Sequence, residues 1–77
     1  MRTATIGRAN GFDGLTTREI EVAHHITAGK TNRDIAAALN ISHRTVEHHI
    51  AAIFSKLNVN SRLQIALRFI TEHQPLN

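Results

Sequence analysis

Five histidines fall in two clusters, His24-His25 on one side of the chain and His43, His48 and His49 on the other. Imidazole is the side chain best suited to hold a metal or to move a proton near neutral pH. A helical zinc pair needs histidines three or four positions apart, so that both lie on one face. The spacings within these clusters are one, five and six, so no pair fits, and surface or ligand-facing imidazoles are the reading. There is no cysteine, hence no disulfide, thiolate site or thiol nucleophile. No glycine-rich phosphate loop and no obvious pair of catalytic carboxylates is present, and a chain this short leaves little room for a pocket. Neither an enzyme nor a cofactor is expected.

The remaining polar groups suit a different chemistry, contact with a polyanion. The 77 residues carry nine Lys and Arg against six Asp and Glu, a formal charge of +3 and a pI near 10.7. That excess is mild and supports nucleic-acid binding without establishing it. The polar residues most able to touch DNA fall in one stretch. At about 100° per residue, Arg44, His48, Ala51 and Ser55 lie opposite an apolar stripe of Val46, Ile50, Ile53 and Leu57. Glu47 sits on one flank of that outward face, and Thr45, His49, Ala52 and Lys56 on the other.

Four helical segments have to position these groups, and no strand-like alternation appears among them. Thr16 and Glu19 spell a capping box, with Leu15 and Ile20 at the staple positions, and Gly29 supplies a left-handed stop. The first helix therefore covers about residues 17–28. Thr31 and Asp34 cap a second helix of about eight residues, which ends at Asn40. Ser42 caps a third, which runs to about Asn58, and Ser61 a fourth, to about His73. In the fourth, Leu63, Ala66, Leu67 and Ile70 make the expected core stripe. Ile65 and Phe69 then fall on a second, outward apolar face, the expected site of self-association. Residues 1–14 are expected to be a flexible tail or linker, 15–73 the folded domain, and 74–77 a short C-terminal tail. No apolar run approaches the ~18 residues needed to cross a bilayer, and no secretory signal is evident, so the cytoplasm is the expected location.

The expected architecture is a compact all-α, four-helix domain containing a helix-turn-helix. Residues 31–57 read as a short helix, the corner Leu39-Asn40-Ile41-Ser42 and a longer helix. Ala36 is small where the two axes pass, and Ile41 pins the corner into the core. Pattern alone leaves open a plain helical corner with no ligand.

Four strings narrow that choice. They are Leu15-Thr16-x-Arg18-Glu19-x-Glu21-Val22, then Gly29-Lys30-Thr31-Asn32-Arg33-Asp34-Ile35-Ala36, then Ile41-Ser42-x-x-Thr45-Val46-x-x-His49, and Lys56-Leu57-x-Val59-x-Ser61-Arg62. In order and spacing they resemble the C-terminal domain of the LuxR/NarL family of transcriptional regulators, of the FixJ type. The resemblance covers residues 15–62, and the fourth helix extends it to about residue 70. It implies a DNA-binding domain whose third helix enters the major groove and whose fourth commonly forms a dimer. It also suggests a Glu19–Arg62 pair between the first and fourth helices; a capping carboxylate and a solvated arginine are the alternative. His25 stands where relatives usually carry an aliphatic residue, and is expected to be partly buried and hydrogen-bonded.

On this reading Arg44 and His48 face base edges, with Thr45, Glu47, His49 and Ala51 beside them. Thr31, Asn32 and Ser42 offer helix N-termini to phosphates, and Lys56 contacts phosphate from its flank. Two residues depart from the family's pattern. Glu47 stands where a lysine is common: a carboxylate repels phosphate, and it either accepts from cytosine N4 or points aside. Ala51 replaces a residue that is often polar or basic, and can touch a thymine methyl. The expected function is sequence-specific binding of double-stranded DNA for transcriptional regulation. The chain would bind as a homodimer on two half-sites, monomeric when free, with RNA polymerase a further expected partner. The rival is a protein-interaction module that keeps the fold and has lost its DNA contacts.

Overall fold

A computed structural model describes residues 14–73, with side chains to Thr71. The expected N-terminal linker, but for Gly14, and the tail after His73 lie outside the described residues. Four α-helices and no strand are present among them: α1 (Thr17–Thr27), α2 (Asn32–Leu39), α3 (His43–Leu57) and α4 (Arg62–His73). No described helix is long and apolar enough to cross a membrane.

Each helix starts on a side-chain cap. At α1 the Glu19 N–H donates to Thr16 Oγ1 at 3.1 Å and the Thr16 N–H to Glu19 Oε1 at 2.9 Å. Thr31 and Asp34 repeat this reciprocal arrangement at α2, at 3.1 and 3.2 Å. Ser42 Oγ accepts the Thr45 N–H at 3.0 Å to open α3, and Ser61 Oγ the Gln64 N–H at 3.2 Å to open α4. Each cap satisfies one of the N–H groups that a first helical turn leaves unpaired.

The first three helices also end alike. Gly29, Asn40 and Asn58 adopt left-handed φ of 85°, 58° and 57°. The next residue's N–H then turns back to a carbonyl five positions earlier, from Lys30 to His25, Ile41 to Ala36 and Val59 to Phe54, each at 3.0 Å. These closures make the connections short and fix the angles at which the helices meet.

The core joins Leu15, Val22, Ala23 and Ile26 to Ile35 of α2 and to Val46, Ile50, Ile53 and Leu57 of α3. Ile20, Ala36, Leu39, Ile41 and Phe54 pack against its margin. The α2–α3 corner is thus held from below by Ile35, Ile41 and Val46, as the sequence pattern requires.

The fourth helix corrects an expectation. Ile65 and Phe69 are its inward residues, 0% and 1% exposed, whereas Leu63, Leu67 and Ile70 stand 65%, 52% and 45% exposed. The helix packs chiefly on α1, and the His24 ring meets Phe69 edge-on, 5.2 Å between centroids. Two polar anchors set its rotation. Arg62 reaches inward to α2, and Arg68 Nη1 donates to the Leu57 carbonyl at 3.1 Å. Arg62, Ile65 and Phe69 follow one another at i, i+3 and i+7, so anchoring the first places the other two in the core.

Candidate nucleic-acid interface

The corner of α2 and α3 holds the outward face of α3 clear of the remaining helices. Arg44, Glu47, His48, Ala51 and Ser55 are all exposed on it, in the arc opposite Val46, Ile50 and Ile53. Arg44 makes no hydrogen bond or ion pair among the described residues, and His43 Nδ1 stands 3.3 Å from Glu47 Oε2, one turn on. Thr45 and His49 are half-buried, His49 near Glu19 of α1. The Thr45 hydroxyl is shared with Ser42 Oγ at 2.9 Å, so these two serve the helix start before they can serve a ligand.

Beside this face runs a shallow cleft of about 290 Å³, lined by Asn32, Glu47, Ile50, Ala51, Phe54 and Arg62. Arg62 closes its far end. Its guanidinium donates to Asn32 Oδ1 at 2.5 Å and to the Lys30 carbonyl at 2.7 Å. The start of α2 is thereby tied to the start of α4, and Asn32 comes to the same side as Glu47 and Ala51, with the exposed Lys30, Thr31 and Arg33 adjacent to it in the chain. Lys30 and Arg33 were missed as candidates. Their signal was available, two cations flanking a helix N-cap, where a basic side chain and free N–H groups act on one phosphate.

One suggested pairing comes out otherwise. Glu19 does not pair with Arg62. It accepts from Lys56 Nζ at 2.8 Å, and the same ammonium donates to the Gly14 carbonyl at 3.2 Å. Lys56 is therefore a strut between α3 and the entry to α1, with two of its three donors engaged there. Burial alone would raise the Glu19 carboxyl. The Lys56 hydrogen bond, the Thr16 N–H, the Lys56 charge and nearby His49 together outweigh it and hold the carboxyl below its ordinary value of 4.5.

A depressed acid favours the folded state wherever it is ionised, so this contribution is complete above about pH 4.5 and is lost as pH falls through the lower folded value. Glu19→Gln should cost about 1–3 kcal/mol at neutral pH. It should also flatten the loss of stability between neutral and acid pH, read from thermal melts across that range. An unchanged acid limb would mean that another carboxylate, such as the capping Asp34, controls it.

A short helix and a longer one, locked at a capped corner with the longer helix's polar face uncovered, define a helix-turn-helix of the DNA-binding kind. Comparison with known proteins agrees. The model of the luxR family of bacterial regulatory proteins matches residues 13–69. The chain is 43% identical over 61 residues to the nitrate/nitrite response regulator protein NarP of Escherichia coli, covering 79% of this chain and 28% of that protein. It is 44% identical over 55 residues to the transcriptional regulatory protein ComA of Bacillus subtilis, covering 71% and 26%. It is 39% identical over 67 residues to the response regulator protein VraR of Staphylococcus aureus, covering 87% and 32%. The chain belongs to the luxR family, as a DNA-binding domain of transcriptional regulators. It spans between about a quarter and a third of the length of these relatives.

Proposed function

We propose that the chain binds double-stranded DNA sequence-specifically as a dimer on two half-sites, with α3 in the major groove, and so regulates transcription in the cytoplasm. The observation that carries this reading is the outward face of α3. Its first three turns present Arg44, Glu47, His48 and Ala51 with no other helix over them, while the opposite face is sealed in the core. Arg44 and His48 lie where base edges would be met. The start of α2 supplies the phosphate contacts. Asn32 gives its carbonyl oxygen to Arg62, which leaves its NH2 group to donate outward, and Lys30 and Arg33 flank it.

The second half-site calls for a second copy, and the exposed strip Leu63, Leu67 and Ile70 is the surface for it. These residues repeat at i, i+4 and i+7 along α4 and continue into a groove lined by Val59, Gln64, Leu67, Arg68 and Thr71. One helix face buries less than the ~1,200 Å² of a stable interface, so the copies meet on DNA rather than in free solution. At a promoter, RNA polymerase is the further partner of this reading.

Anisotropy titrations against salt test the reading. Affinity for random duplex should fall steeply with salt, and Arg33→Ala should reduce the log–log slope by roughly one on every sequence. Arg44→Ala should instead change which sequence is preferred. A chain that binds no duplex at any salt concentration would have kept the fold and lost the contacts, which is the interaction-module alternative.

A further inference from the structure

Glu47 is a carboxylate placed on the face that would approach phosphates, and nothing in the fold requires it there. It caps no helix and bridges no two elements. Its one possible ion-pair partner among the described residues is His43, on its own helix, and both side chains are more than half exposed. That pair does little for α3 itself, because the basic residue lies N-terminal to the acidic one, against the helix dipole. What the pair can do is orient the carboxylate. His43 Nδ1 lies at Oε2, at 3.3 Å, leaving Oε1 to accept elsewhere.

The surroundings favour a base as the donor. Ala51, one turn on, is small and opens the approach, and Asn32 and Arg62 stand across the cleft. The Arg62 guanidinium is already bonded to Asn32 and the Lys30 carbonyl and makes no ion pair with Glu47, so it does not occupy the carboxylate's oxygens. Among the groups presented in the major groove, an acceptor-only carboxylate finds its complement in the cytosine N4 amino group.

We propose that Glu47 is a specificity-determining residue that selects a cytosine in each half-site by accepting from its N4 amino group, with His43 as the residue that positions the carboxylate. The proposal rests on the reading of α3 as the groove-entering helix.

The test is selection on randomised duplex with the full chain, followed by competition titrations on the selected site. The wild-type chain should select a C·G pair at one position per half-site, and replacing that pair should weaken binding about fivefold or more. Glu47→Ala should erase the preference at that position alone, while binding to random duplex tightens as the repulsion from phosphate is lifted. Glu47→Gln, which carries an acceptor and a donor, should move the preference to adenine. His43→Ala should weaken the cytosine preference at the same position, and His43→Gln, which can still donate to Glu47 from one turn away, should restore it. A wild-type chain that binds selected sites yet shows no cytosine preference, or a Glu47→Ala variant that keeps it, overturns the inference and leaves the proposed function standing. Binding to no duplex overturns both.

Discussion

Phe69→Asp should leave the domain unfolded at 25 °C, with no cooperative melt and a random-coil circular dichroism spectrum. Phe69 is 1% exposed, among the largest fully buried side chains, and packs with Ile65 between α4 and α1. Truncating a buried phenylalanine costs about 3–5 kcal/mol, and an unpaired carboxylate in its place adds a desolvation cost of several more. A domain this small has a stability near the low end of the roughly 5–15 kcal/mol range, so the sum exceeds it. Phe69→Leu, which keeps apolar volume and loses the edge-on contact with His24, should instead melt cooperatively at a lower temperature. A native-like melt for the aspartate variant would mean that α4 can rotate, with Leu63, Leu67 and Ile70 turning inward.

That alternative rotation is the one the hydrophobic pattern favours, and the reason is instructive. Both faces of α4 have helical spacing, and counting apolar residues favours Leu63, Ala66, Leu67 and Ile70 over Ile65 and Phe69. Periodicity identifies a face only when the helix has one apolar side. The deciding residue was Arg62. The resemblance offered an inward Arg62 beside a solvated one, and an inward Arg62 carries Ile65 and Phe69 with it. Elsewhere local chemistry was enough. Capping boxes at Thr16 and Thr31, the left-handed stops at Gly29, Asn40 and Asn58, and the stripe from Val46 to Leu57 can all be read within a few residues. The outward face of α3 follows from the same stripe. What could not be read is long-range partner choice. Glu19 had two cations within the fold's reach, and Lys56, on the flank of α3 nearest α1, took it, while Arg62 found Asn32 and a carbonyl. Spacing along a chain does not rank such options, because they depend on the angles at which helices cross.

Leu67→Asp should leave the fold intact and abolish cooperative binding to a paired site. Leu67 is 52% exposed and lies at the middle of the strip Leu63, Leu67 and Ile70, so a carboxylate there is solvated in the monomer and the melt should change little. On DNA the situation differs. A two-fold axis through this strip would set each Leu67 near its copy, and two aspartates would then meet at the interface, charge against like charge. Arg44 is the one permanent cation on the first turns of the outward face of α3, so a single domain should hold DNA weakly and depend on its second copy. Linking two half-sites raises the effective concentration of the second domain to about the millimolar range, and a lost contact forfeits that gain. Titrations on duplexes carrying one half-site and two should therefore give the same affinity per site for Leu67→Asp, where the wild-type chain binds the paired duplex at least tenfold tighter. Leu67→Ala, neutral and smaller, should fall between. Cooperative binding that survives Leu67→Asp would remove the outer face of α4 as the contact and move the search to the exposed residues of α1 and α2.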